Sequence, residues 1–241
     1  MSRRAVLWIA FAVVHAGVAW LGFLMPNQPM GDVHNVYDPW SRMALDGSAI
    51  VGVTEPWVYP QLALLPMIAA QGLAPLAGYY LAWALVVTAV DALAFAVLVG
   101  RAHAVGRVTA AWFWLSFIAL LGPVGLYRLD GFTTALAVLG CLWLVGRPWL
   151  ASILLAVATW MKVWPAALLA AAVIALRRRG ALVGGAVIVS ALTLTGVVLA
   201  GGAANAFGFI GDQTSRGLQV EAPVSTPYLW GTFFDPRTFW V

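Results

Sequence analysis

A few short stretches carry most of the groups with which this chain could do chemistry. In Gly31-Asp32-Val33-His34-Asn35-Val36-Tyr37-Asp38 a carboxylate stands beside an imidazole and a phenol, a set suited to taking a proton from a reacting hydroxyl. A loop aspartate more commonly caps a helix or stays solvated. Asp38, followed by Pro39, fits that simpler role, whereas the company of His34 and Tyr37 sets Asp32 apart. Farther on, Arg128-Leu129-Asp130-Gly131 places a guanidinium and a carboxylate two residues apart. Residues at that spacing do not face each other on a helix. Arg128 is suited to a phosphate, and Asp130 either caps the helix that follows or orients the arginine; a purely structural pairing stays open. Lys162 lies between Trp160 and Trp164, next to Pro165. It either snorkels to lipid headgroups or binds an anionic group in a recess. Gln213 to Glu221 gathers amides, hydroxyls, the Arg216 guanidinium, Gln219 and a carboxylate, which suits a polyhydroxylated or phosphorylated ligand.

What is missing narrows the chemistry. There is no Gly-x-x-x-x-Gly-Lys phosphate loop, His-Glu-x-x-His, Cys-x-x-Cys, Gly-x-Ser-x-Gly or Asp-x-Asp, which argues against several hydrolase, redox and metal-dependent classes. His15, His34 and His103 are scattered and Cys141 is the only cysteine, so neither a metal site nor another cofactor is expected.

The elements that must position these groups are membrane helices. Of 241 residues 63% are hydrophobic and 9% charged, and the mean hydropathy is +0.91, too little polar surface for a soluble globule. The net charge of +4 does not call for nucleic acid, because the basic residues sit in turns beside apolar runs. Arg3, Arg4, Arg101, Arg107, Arg147 and Arg177 to Arg179 fall on one side of those runs, which the positive-inside rule makes cytoplasmic. Asp32, Asp38, Asp46, Glu55, Asp130, Asp212, Glu221 and Asp235 fall on the other. The reading is an all-α polytopic bundle of about seven spans in the plasma membrane, with a cytoplasmic N-terminus and an exoplasmic site. Spans are expected over 5–25, 78–100, 108–124, 131–145, 149–161, 166–176 and 181–200, all in one transmembrane domain covering 1–241. Residues 26–76 form an exoplasmic loop with interfacial or re-entrant helices, and 201–241 form a second outer loop. The middle spans are too short to cross about 30 Å of hydrocarbon, which leaves a recess for Arg128, Asp130 and Lys162 that the two loops roof. Gly180 and Gly184 offer a close-packing surface. Asp91, within a span, is either functional or paired with Arg101.

At these residues the chain resembles the membrane glycosyltransferases of the GT-C superfamily, most closely the actinobacterial polyprenol-phosphate-dependent family 87, which includes α-mannosyltransferases and arabinofuranosyltransferases. The resemblance rests on Gly31-Asp32-x-x-x-Val36-Tyr37, Tyr59-Pro60, Arg128-x-Asp130, Lys162-x-Trp164-Pro165 and Arg216-Gly217-Leu218-Gln219-x-Glu221. It implies an inverting, metal-independent transfer of a sugar, mannose foremost, from a polyprenyl-phosphate donor to a cell-envelope glycolipid or polysaccharide. Asp32 would be the general base, and Arg128, Lys162 and Arg216 would hold the donor phosphate. His34, Tyr37, Tyr59, Asp130, Gln219 and Glu221 would bind or orient substrate. Relatives carry more spans, so the chain is expected to be the N-terminal part of a longer architecture. A transporter or flippase for a lipid-linked sugar also uses intramembrane charges and broken helices, but no paired halves are visible here. A non-catalytic membrane scaffold is the third reading.

Overall fold

The computed structural model describes residues 1–25, 30–214 and 223–234, which build helices and, among those residues, no strand. Helix α1 (Arg3–Leu24) leads to a π-helical turn (Val33–Tyr37) that runs into α2 (Asp38–Asp46). After a 3-10 turn (Gln61–Ala63) come α3 (Leu64–Gln71) and α4 (Ala74–Ala77), then the long α5 (Tyr79–Val99) and α6 (Val105–Tyr127). Three shorter helices follow, α7 (Asp130–Trp143), α8 (Pro148–Thr159) and α9 (Pro165–Ala175), and then α10 (Arg179–Leu199), α11 (Gly208–Thr214) and α12 (Thr226–Phe234).

Helices stand at each of the expected span positions, but they fall into two lengths. α1, α5, α6 and α10 have 21 to 23 residues and are apolar enough to cross a membrane, reaching just over 30 Å at about 1.5 Å per residue. α7, α8 and α9 have 14, 12 and 11 residues and reach only about 17 to 21 Å. Two of the short helices begin on a strong local signal: Pro148 and Pro165 each occupy a first-turn position, where the missing N–H costs nothing. α6 breaks near its end, where Gly122 takes φ +62° and Pro123 opens a final short turn. That break redirects the chain toward Arg128.

Residues 30–76 pack into the bundle. Ala63, Met67 and Ala70 are fully buried and share one core cluster with Tyr37, Trp83, Tyr127 and Leu129. Gln71 ties α3 to α2, its amide donating to the Asp38 carboxylate at 2.7 Å and to Ser41 Oγ at 2.9 Å. Asp38 also pairs with Arg42 at 2.7 Å, so it braces two helices. The two expected outer loops meet: the Gln61 amide donates to the carbonyls of Gly52, Asn205 and Ala206, and Asn205 Nδ2 donates to the Val53 carbonyl at 2.8 Å.

Two packing expectations change. The close approach of α10 to α8 is made by Gly184 and Gly185, where an added Cβ would lie 2.6 Å from the Trp149 ring and 2.8 Å from Ser152, while Gly180 faces open space. Asp91 does not reach Arg101. It accepts from Trp114 Nε1 at 3.2 Å and contacts His15 Nε2 at 2.9 Å, clasping α5 to α6 and α1.

Candidate functional site

The site is built where the loop after α1 meets the joint between α6 and α7. The π turn over Val33–Tyr37 closes with the Asp38 N–H bonded to the Val33 carbonyl. With i to i+5 bonding each turn takes in more residues than an α-helical one, which brings Asp32 and Tyr37, five residues apart, toward one side. Tyr37 is fully buried beside the Trp83 ring, with centroids 4.9 Å apart, and its hydroxyl accepts the Leu129 backbone N–H at 3.2 Å. Trp83 Nε1 donates to the Tyr127 carbonyl at 2.8 Å. The segment 127–129 is therefore pinned from both sides, with Arg128 and Asp130 flanking the anchored Leu129. Gly131 allows the tight reversal into α7, since a Cβ there would sit 2.1 Å from the Leu126 carbonyl oxygen.

Four charges alternate around this joint. Arg128 Nε lies 3.4 Å from Asp32 Oδ2, and Lys162 Nζ is hydrogen-bonded to Asp130 Oδ2. The four side chains are each 26 to 37% exposed, so they are partly desolvated yet open to a ligand. Lys162 is held by its surroundings: Trp164 Nε1 donates to Thr133 Oγ1 at 3.2 Å, Thr133 donates to the Asp130 carbonyl at 3.2 Å, and the Leu62 N–H donates to the Trp160 carbonyl at 2.9 Å. Burial, first of all, pushes the Tyr37 hydroxyl well above the ordinary phenol range, and Tyr59, Asp32 and Asp130 push the same way. Tyr37 thus stays protonated and serves as a neutral hydrogen-bonding post among charges.

Arg128 and Asp130 also stand at the polar end of a cavity of about 460 Å³ that runs along α6. Its wall is apolar, made by Phe113, Phe117, Ile118 and Leu121, and its far end is Asp91. Phe113 and Phe117 are 68% and 52% exposed, so the cavity is continuous with the apolar outer surface of the bundle. A ligand with a charged head and a hydrocarbon tail matches that gradient.

The structure gathers some of the residues singled out in the sequence and separates others. Asp32, Tyr37, Arg128, Asp130 and Lys162 come together, although Asp32 and Lys162 reach the cavity only through their partners Arg128 and Asp130. Tyr59 lies near Tyr37 within an aromatic group, 6.3 Å from Trp40 and 5.7 Å from Trp57 between centroids. His34 turns away: its ring meets Tyr80 edge-on at 3.4 Å and lines a separate hollow with Phe23 and Met30. Arg216, Gln219 and Glu221 lie outside the described residues. The supports Trp83, Thr133 and Gly131 carried no chemical signal in the sequence. Arg42, a cation among the acids of the first loop, was legible by its spacing of four from Asp38.

Residues 57–241 match the model of glycosyltransferase family 87. That range contains Tyr59, Arg128, Asp130 and Lys162, and starts after Asp32, His34 and Tyr37. No curated protein and no solved structure matches the chain. With more than half of its length in the family match, and helices apolar enough to lie in a bilayer, the chain belongs to glycosyltransferase family 87 and is a membrane-embedded glycosyltransferase.

Proposed function

We propose that the protein moves a sugar, mannose foremost, from a polyprenyl-phosphate donor to a hydroxyl of a cell-envelope glycolipid or polysaccharide. The reading places the reaction at the exoplasmic face of the plasma membrane, with residues 1–241 acting as one transmembrane unit. The donor tail would lie in the apolar cavity along α6 and its phosphate would meet Arg128. Arrival of that phosphate would compete with Asp32 for the guanidinium and release the carboxylate for proton transfer. The acceptor oxygen then bonds to the anomeric carbon and its proton passes to Asp32. The bond from that carbon to the phosphate oxygen breaks, and the electron pair leaves on the phosphate. A phosphate monoester needs no protonation to depart, so one base suffices. Arg128 and Lys162 would stabilise the charge that gathers on it, without a metal. Attack opposite the phosphate inverts the anomeric centre.

The observation that carries this reading is the contact of Arg128 with Asp32 at the polar mouth of an apolar cavity. The test is Asp32→Asn in the intact protein, assayed with radiolabelled polyprenyl-phosphate mannose and extracted membrane lipids. Transfer is expected to fall by about 10² to 10⁴ with donor binding retained. Normal turnover by the variant rejects Asp32 as the base, and label that crosses the bilayer without entering a larger product points to a flippase.

A further inference from the structure

The end of the bundle opposite Asp32 carries a second group of polar side chains, in which three arginines supply the charge. Arg3 and Arg4 open α1, Arg101 and His103 stand in the turn between α5 and α6, and these side chains line a cavity of about 400 Å³ with Ser2 and Ala102. The turn is firmly seated. Ala102 holds φ +56°, a region a non-glycine residue keeps only when its surroundings impose it. It is buried in the core cluster that contains Leu7, Leu98 and Val99, and its N–H donates to the Val99 carbonyl at 2.8 Å. Arg107 secures the same turn by donating to the Val97 carbonyl at 3.1 Å. Arg101 and His103 are thus held on either side of a fixed residue, across the cavity from the start of α1.

Among the described residues no carboxylate lines this cavity. The sequence has no carboxylate before Asp32 and none between Ala92 and Leu129, and among the described residues no ion pair involves Arg3, Arg4, Arg101 or His103. Arg3 and Arg4 also occupy the first turn of α1, which contains no acid, where unpaired N–H groups already concentrate positive charge. Cations at that end oppose the helix dipole, and an anion in the cavity relieves both repulsions. The 22 residues of α1 place the cavity about 33 Å from the Asp32 end, roughly one hydrocarbon thickness away. That is the level of the headgroups of the other leaflet.

We propose that this cavity binds a phosphate anion, of the kind presented by an anionic phospholipid headgroup. Arg101 and the α1 arginines supply charge-assisted hydrogen bonds to its oxygens, and the site is separate from the one around Arg128. A free phosphate ion offers the same oxygens, so the test treats the two sources apart.

The intact protein in neutral detergent is titrated with short-chain phosphatidylglycerol, with phosphatidylcholine and with inorganic phosphate, reading the thermal midpoint. Phosphatidylglycerol is expected to raise the midpoint saturably and phosphatidylcholine to leave it unchanged. Arg101→Gln is expected to weaken the apparent affinity about tenfold, the loss of one charge-assisted contact, and Arg101→Lys to restore part of it. Arg178→Gln, an exposed arginine outside the cavity, is expected to change nothing. If inorganic phosphate reproduces the effect with the same sensitivity to Arg101→Gln, the site stands and its ligand is the free ion. Absence of a saturable shift with either anion overturns the proposal, as does an equal shift in Arg101→Gln or an equal loss in Arg178→Gln. Should Arg101→Gln not fold, Arg4→Gln supplies the same readout.

Discussion

The Tyr37 hydroxyl accepts the backbone N–H of Leu129 at 3.2 Å, so a side chain from the loop after α1 fixes the residue that separates Arg128 from Asp130. Asp32, near the start of the same π turn, meets Arg128. One short turn therefore supplies both a carboxylate and the post that holds the carboxylate's partner in place.

Removing that post tests its structural share. Tyr37→Phe leaves the buried Leu129 N–H without an acceptor, expected to cost about 1 to 3 kcal/mol as a lower denaturation midpoint in detergent. The pH profile has a definite sign. Because folding raises the Tyr37 pKa, its contribution is fully present below the unfolded phenol value of about 10 and is lost as the pH rises beyond it. Wild type should weaken more than Tyr37→Phe in that alkaline range, and parallel profiles would remove Tyr37 from this role.

Lys162→Met and Arg128→Gln separate ligand binding from folding. Both ion pairs are partly exposed, so stability should change by only about 0 to 1 kcal/mol. On the proposed reading KM for the lipid-phosphate donor rises about tenfold or more, through the loss of a charge-assisted contact. Kinetics and denaturation measured on the same preparations check this, and an unchanged KM in both variants returns the two cations to bracing.

Gly131→Ala is expected to destabilise by about 1 to 3 kcal/mol or more, because the new methyl group would meet the Leu126 carbonyl at 2.1 Å. Gly17→Ala in α1 is the contrast. Nothing lies within 4 Å of its added Cβ, and helix propensity favours alanine there by about 0.5 to 1 kcal/mol. Denaturation midpoints that move in opposite directions confirm the joint as the constrained position.

The clasp between His15 and Asp91, 4% and 2% exposed, should cost about 3 to 5 kcal/mol when either partner alone becomes leucine, since the other is left buried without it. The double leucine variant should recover much of that loss. A double variant as unstable as the sum of the singles would show that the two residues do not act as a pair. Because Asp91 ends the α6 cavity, donor KM in the double variant reports whether the clasp also shapes that wall.

Much of the architecture could be read from the chain itself. Apolar runs of bilayer length marked α1, α5, α6 and α10, and the short middle runs announced helices that cannot cross unaided. Those are local properties, set by composition, side-chain transfer energies and the fixed rise of a helix. Asp32, Arg128, Asp130 and Lys162 stood out for the same reason, as charges against an apolar background.

Their partners were not visible. An aspartate in the first loop and an arginine after α6 are nearly a hundred positions apart, and no periodicity relates them. Only the docking of the π turn onto the 127–129 segment, through Tyr37 and Trp83, decides that Asp32 meets Arg128 while His34 is left against Tyr80. Asp91 makes the same point in reverse: proximity in sequence suggested Arg101, yet the crossing of three helices delivered His15 and Trp114. Residue type and spacing determine which elements form and what each group is able to do. Which groups meet is decided by long-range packing, because that is where the buried N–H, carbonyl and carboxylate groups find their counterparts.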